Sequence, residues 1–471
     1  MKKLSLPPGT RDFFTQEVRS RNRLIQIIRN NFELFGFSPI ETPSFENLST
    51  LFGKYGGESD QLIFKIINSG DFLKKQKYKF EHLSQLGLES GQKFIEEQLN
   101  FRSFIVEISE KALRYDLTIP LSRYVAMHRD KIHFPFKRYQ IQNVWRGDRP
   151  QKDRFREFCQ CDADIIGSKS LWQEIELIQL YDKIFSDMNL PVIIKINHRE
   201  IISGLADIAK IKDYWRDFII SLDKWDKIGS HNVWKEMIRR GIPKENLKKI
   251  QGVFNIDGNF EEKLNKLSAI ILSSSSENGK KGIEELRFFL KIIKKVCLDW
   301  VDLQFQISLV RGLNYYTGII FEVNPKGIYL NSIGGGGRYD NLTGIFGLPN
   351  ISGVGISLGL DRIHIAKKMM NPKSEDHTPL RVLFLHFGEE ESLYANRLIS
   401  KLRKKVIPAE LYPKAEKVKK QFQYAIKKKI SFVISVGKKE IVKNKIRIKD
   451  MSKTTEVEYD CIEDFIKEIT L

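Results

Sequence analysis

The chain has little that could fix a fold covalently or hold it in a membrane. Among 471 residues only Cys159, Cys161, Cys297 and Cys461 are cysteines. They are too few and too scattered for a disulfide framework, and without a Cys-x-x-Cys pair they offer no zinc site, so plain thiols are expected. Nowhere do eighteen apolar residues run together, which argues against a transmembrane helix. The opening Met1-Lys2-Lys3-Leu4 meets Pro7-Pro8-Gly9 at once and leaves no apolar stretch for a signal peptide. A cytoplasmic protein with no membrane partner is therefore expected. The longest glycine run, Gly334 to Gly337, lacks the Gly-Lys-Ser/Thr of a P-loop and the Gly-x-Gly-x-x-Gly of a dinucleotide fold. Acidic residues are short as well, 59 against 78 basic ones, a net charge of +19. That excess suits a polyanionic partner, because basic groups near phosphates release condensed counterions. Lysine enrichment from a biased genome would look the same.

The 41% hydrophobic and 11% aromatic content belongs to a soluble globular protein, long enough for two or three domains. Leu24, Ile27, Ile28, Phe32 and Phe35 are at helical spacing over Asn22 to Phe35, and Gly36 to Pro43 reads as a turn into a short strand closed by proline. Residues 68–111 are polar and broken by Gly87 and Gly91, a surface insert with no legible chemistry. Leu171 to Leu190 reads as an amphipathic helix, Val192 to Ile196 as a strand, and residues 200–299 as polar and helical with breaks at Gly241-Ile242-Pro243 and Ser273 to Ser276. Strand-forming residues resume at Val301. A polar stretch from Met369 to Pro379 is the clearest boundary. Beyond it Arg381 to Phe387 and Ser431 to Val436 read as strands, with helix faces at Ala395, Leu398, Ile399, Leu402 and at Val418, Phe422, Ala425, Ile426. From Lys401 to Lys449 the only acidic residues are Glu410, Glu416 and Glu440, a placement that favours RNA binding.

Two segments carry the most chemistry. Leu309 to Val323 reads Leu-Val-Arg-Gly-Leu-Asn-Tyr-Tyr-Thr-Gly-Ile-Ile-Phe-Glu-Val, with a fixed cation and two phenols ahead of an apolar strand. Alone it could be an ordinary strand with a snorkelling arginine. Val144 to Gly167 reads Val-Trp-Arg-Gly-Asp-Arg-Pro-Gln-Lys-Asp-Arg-Phe-Arg-Glu-Phe-Cys-Gln-Cys-Asp-Ala-Asp-Ile-Ile-Gly. Together the two segments resemble the histidyl-tRNA synthetases, a branch of the class II aminoacyl-tRNA synthetases. The resemblance runs in order from Pro8-Gly9-Thr10-Arg11-Asp12 to the basic C-terminal module, with only 68–111 outside it.

That resemblance implies an α+β fold: an antiparallel sheet with flanking helices, a helical insertion and a C-terminal α/β anticodon-binding domain. Its divisions would be 1–199 with 300–370 for catalysis, 200–299 for the insertion, 371–379 for a linker and 380–471 for the anticodon. The chain would be a homodimer that activates L-histidine with ATP and Mg2+ and passes it to the 3′ end of tRNA-His. Arg146 of motif 2 would hold the α-phosphate and Arg362 of motif 3 the γ-phosphate, since a guanidinium fork grips oxyanions and keeps its proton. Asp148 stands where the family has a glutamate near the adenine. Arg311 would lie between the histidine carboxylate and the α-phosphate, with Asn314 beside it where the family usually has aspartate. Asp116 and Thr118, on one side of an extended segment, would bind the α-ammonium with Gln160; the bland reading of Asp116 is a capping or turn residue. Asp164, Tyr315, Tyr316 and Tyr339 would surround the imidazole. Gly334 to Gly337 would pass beneath it, and Gly56-Gly57-Glu58 would lie near. The rival reading is a silent, histidine-sensing regulatory paralogue, which would tend to lose the ATP arginines and the C-terminal module.

Overall fold

The computed structural model describes residues 4–52, 62–70, 108–311, 315–371, 381–453 and 455–470. Asn314, the Gly56-Gly57-Glu58 segment, most of the polar insert and all but Asn371 of the 371–379 linker lie outside them. The chain divides into two compact units, Met1–Pro372 and Lys373–Leu471.

Helix α1 (Thr15–Leu34) begins ahead of the spacing that starts at Asn22 and buries Leu24, Ile28 and Phe32 along one stripe. Burying each of these side chains contributes about 1.5–3 kcal/mol. Gly36, at φ +79°, then turns the chain into strand β1 (Ser38–Pro39). β2 (Phe45–Asn47), β3 (Lys65–Ile66) and β4 (Lys111–Leu113) form a small antiparallel sheet in the order β2-β4-β3. Because Ile66 pairs with Lys111, the polar insert leaves and returns on neighbouring strands.

The large sheet is completed by β5 (Phe136–Trp145), β6 (Glu157–Ile166), β7 (Val192–His198), β8 (Val301–Phe305), β9 (Ile319–Pro325), β10 (Gly334–Tyr339) and β11 (Gly353–Gly359). Its order is β1-β5-β6-β11-β10-β9-β7-β8. The six strands from β5 to β7 pair antiparallel; only the outer pairs, β1 with β5 and β7 with β8, are parallel. One face is covered by α1 and by the helix Trp172–Asp187, which buries Ile175, Ile178, Tyr181 and Phe185. The α+β fold expected from the sequence is the fold observed.

Six α-helices run between β7 and β8, from Arg199–Ala209 to Glu277–Ile293, and their buried residues join the same apolar cluster as the sheet. The first and last of these cross at Gly204 and Gly279, where a Cβ on Gly204 would stand 2.7 Å from the Gly279 Cα. Such contact needs two residues without side chains.

In the C-terminal unit β12 (Val382–Phe384), β13 (Ala409–Leu411), β14 (Phe432–Ser435), β15 (Ile446–Asp450) and β16 (Glu456–Tyr459) form a sheet in the order β13-β12-β14-β15-β16. The helix Glu389–Lys404 buries Ala395, Leu398, Ile399 and Leu402 as expected. The face read for the helix Val418–Lys427 needs correction. Ile426 is 64% and Val418 41% exposed, whereas Gln421 is fully buried. Gln421 faces inward because its amide accepts from the His386 N–H and donates to the His386 and Glu416 carbonyls, satisfying both ends without water.

Candidate active site

Alternation along a strand places every second side chain on one face. On β6 this puts Gln160, Asp162 and Asp164 together, all buried. Asp164 lies directly opposite Arg138 of β5, and their side chains form a buried ion pair at 2.6 Å. The Tyr339 hydroxyl, from the end of β10, donates to the other carboxylate oxygen of Asp164. Tyr315 packs against two other phenols: its ring is tilted 4.5 Å from that of Tyr316 and edge-on to Tyr339 at 5.9 Å. A carboxylate held by a guanidinium and ringed by three phenols can accept from one nitrogen of a flat heterocycle while a hydroxyl serves the other.

The second wall begins at Asp116. The sequence suggested an extended segment with Asp116 and Thr118 side by side; the correction is that Thr118 opens the helix Thr118–Met127. The Asp116 Oδ1 accepts the Ile119 N–H at 3.2 Å, which satisfies one of the donors a helix start leaves unpaired. Both readings of Asp116 are thus compatible, because its Oδ2 is buried with no hydrogen-bond partner. An unmatched buried carboxylate oxygen is costly unless a cation meets it. Burial pushes the Asp116 carboxyl up to about 6, against the pull of the Ile119 N–H and the nearby Arg146. Burial, then the charge of Asp164, pushes Asp162 up to about 7. Three carboxylates share the floor, so a ligand cation relieves a charge the protein only partly balances with Arg138 and Arg146.

The cationic side is built from three elements. Arg146, just past β5, donates to the Tyr115 carbonyl at 2.9 Å, approaches the Gln160 Oε1 at 3.4 Å and stands 5.1 Å from the Phe158 ring. Arg362, on the helix Leu360–Met370, is pinned by the Asp153 and Ser332 carbonyls at 2.9 and 2.8 Å. Burial holds its guanidinium below the ordinary value, with Arg146 and Arg154 adding to the effect. Asp148 accepts from Arg154 at 2.9 Å in the loop between β5 and β6. Arg311 is fixed from both sides: Asn197 on β7 donates to the Ile307 and Leu309 carbonyls, and the Arg311 Nη1 is 3.3 Å from Glu322. Its side chain remains 25% exposed.

Glycine is required where these side chains cross the sheet. A Cβ on Gly335 would sit 2.7 Å from the Phe321 carbonyl and 2.9 Å from the Arg311 guanidinium carbon. One on Gly355 would overlap the Asp164 carboxylate. The strand β10 thus runs under the Arg311 guanidinium.

The structure therefore links Asp116, Gln160, Asp164, Tyr315, Tyr316, Tyr339, Arg146 and Arg311 in one cluster of neighbouring charges and phenols, with Arg362 and Asp148 on the Arg146 side and Thr118 at the helix start next to Asp116. Reading the sequence missed four supporting residues. Asp162 was legible from the alternation Gln160, Asp162, Asp164. Arg138, Tyr181, which donates to the Gly335 carbonyl, and Ser357, which accepts from Gln160, depend on strand register and on which helix covers the sheet.

The family model for histidyl-tRNA synthetase matches residues 82–363, and that for the anticodon binding domain matches 380–470. The chain is 53% identical over 465 residues to a curated Histidine–tRNA ligase of Flavobacterium johnsoniae, covering 97% of each protein. It is 52% identical to the one of Christiangramia forsetii, covering 96% of each. The crystal structure of histidyl-tRNA synthetase from Nostoc sp. PCC 7120 superimposes with a TM-score of 0.76 at 28% identity, over 99% of this chain and 100% of that one. With the arginines, the carboxylates and the C-terminal module all present, nothing supports the silent regulatory reading, and the chain belongs to the histidyl-tRNA synthetase family of histidine–tRNA ligases.

Proposed function

We propose that histidine lies with its α-ammonium against Asp116, Thr118 and Gln160 and its imidazole against Asp164 and the three tyrosines. The observation that carries this is the buried, unpartnered Oδ2 of Asp116, close enough to Asp164 to feel its charge, which calls for a cation. ATP lies on the arginine side, its α-phosphate at Arg146 and its γ-phosphate at Arg362, with Asp148 toward the adenine. Arg311 bridges the histidine carboxylate and the α-phosphate. The carboxylate oxygen attacks the α-phosphorus, the bond to the bridging oxygen breaks, and pyrophosphate leaves with its electron pair. Arg311 and Arg146 neutralise charge that grows at the α-phosphate oxygens in the transition state, where preorganised cations act most strongly. A terminal ribose hydroxyl of tRNA-His then attacks the acyl carbonyl and AMP leaves. No side-chain nucleophile is needed.

Among the described residues no three His, Cys, Asp or Glu side chains gather to hold a metal. Mg2+ fits as an ion carried chiefly by phosphate oxygens and water, its usual arrangement. The functional division follows the sequence reading: 1–199 with 300–370 for catalysis, 200–299 as the helical insertion, 371–379 as linker and 380–471 for the anticodon of tRNA-His. A homodimer is supported by the outward apolar residues around α1, with Phe14 82% and Leu34 69% exposed. A cytoplasmic location is in keeping with the absence, among the described residues, of any helix long and apolar enough to cross a membrane. The test is ATP–pyrophosphate exchange with each of the twenty amino acids. Exchange with histidine alone supports the reading; comparable kcat/KM for another amino acid, or none for histidine, overturns it.

A further inference from the structure

The histidine reading gives Gln160 a job that only half of its side chain can do. An amide has one acceptor end and one donor end, and only the carbonyl oxygen can receive a bond from an ammonium. Which end faces the ligand is decided by what grips the other.

The grip comes from the strand pair β6 and β11. Ser357 lies directly opposite Asp162 in that register. The Gln160 Nε2 donates to the Ser357 hydroxyl at 2.9 Å and to the Asp162 Oδ1 at 3.3 Å, so both amide hydrogens are used. The Ser357 hydroxyl is itself a partner of Asp162. A hydroxyl can donate or accept, so Ser357 alone would tolerate either orientation of the amide. An ionised carboxylate accepts only. Turning the Gln160 amide over would press its oxygen against Asp162 and aim its NH2 at Arg146 and at the incoming ammonium. In the observed orientation the oxygen faces Arg146 and keeps a lone pair for the ligand.

We propose that Asp162 is a positioning residue for histidine activation: it fixes the Gln160 amide so that its oxygen faces the α-ammonium of the substrate. The inference rests on the histidine reading of the pocket. It assigns Asp162 an action through Gln160 and not a direct contact with the ligand. Asp164 and Asp116 oppose the Asp162 charge and Arg138 supports it. An arriving ammonium shifts the balance toward the ionised, orienting form.

A double-mutant cycle on the full-length enzyme separates this role from a plain electrostatic one. Asp162→Asn keeps the shape but lets the pair of amides adopt either orientation. In histidine-dependent exchange we expect it to raise the KM for histidine about tenfold while the KM for ATP stays within about twofold, the size of a lost bond to a charged group. Gln160→Ala should raise the histidine KM to a similar degree. The double variant should be no worse than Gln160→Ala alone. Inhibition by histidinol, which keeps the ammonium, should weaken in Asp162→Asn, whereas inhibition by imidazole-4-propionate, which lacks it, should not. That contrast also tells a repositioned amide from a damaged pocket, since damage would weaken both inhibitors. The proposal is overturned if Asp162→Asn raises the KM equally in the presence and absence of Gln160, leaves it unchanged, or weakens both inhibitors alike. If Gln160→Ala itself leaves the histidine KM unmoved, the placement of the ammonium fails first.

Discussion

The floor of the active site and the surface of the C-terminal unit are both crowded with charge, yet they use it in opposite ways. On β6 the carboxylates of Asp162 and Asp164 are buried, and each has partners fixed by strand register. In the C-terminal unit the acidic residues lacking between Lys401 and Lys449 are partly supplied by β16 and the final helix, Ile462–Thr470. Lys401 meets Glu463 at 2.8 Å, and Arg447 approaches Glu456 and Glu458 at 3.5 Å. These pairs are half exposed, so each is worth little and is screened by salt. Buried charge acts residue by residue and depends on geometry; exposed charge acts as a sum. A net charge of +19 therefore says nothing about catalysis, whose ions act through individual, mostly buried partners.

If that contrast is right, single substitutions should be severe in the pocket and mild on the basic surface. Arg311→Ala should lower the rate of histidine-dependent exchange on the order of a hundredfold or more while leaving histidine binding measurable, because it removes a preorganised cation from the developing charge. Near-normal exchange would end its assigned role. Asp116→Ala should raise the histidine KM by about tenfold or more and spare the ATP KM, since a lost ammonium partner weakens ground and transition states together. Equal effects on the two substrates would move the ammonium elsewhere.

The third test concerns stability. Burial pushes the Asp162 carboxyl up to about 7, above its unfolded value, so its ionised form costs stability at high pH and the cost fades as pH falls from about 7 toward 4. Asp162→Asn should therefore melt a few degrees higher than the parent at pH 8, with the gap narrowing steadily as pH falls toward 4. A constant gap across that range would show that the carboxylate is not strained by burial. The mildest effect should come from the exposed Lys419. Lys419→Ala should weaken tRNA binding by less than about threefold and reduce the slope of log affinity against log salt by about one unit at most. A tenfold loss would make that lysine a specific contact and blur the contrast.

The sequence alone determined most of the element types and the family. Periodicity marked the helix Trp172–Asp187, the strand Val192–His198 and the helix Glu389–Lys404. The ordered motifs around Arg146, Arg311 and Arg362 were enough to single out the family, because side-chain identity at fixed spacing is local information. Tertiary structure decided what depends on partners. Thr118 begins a helix whose free Ile119 N–H is taken by the Asp116 carboxylate, and Gln421 turns inward because His386 offers both a donor and an acceptor. Arg138 meets Asp164, and Ser357 meets Asp162, only because antiparallel register sets them opposite one another. Register joins residues far apart in the chain, and a shift of one position would send each of these side chains to the other face of the sheet.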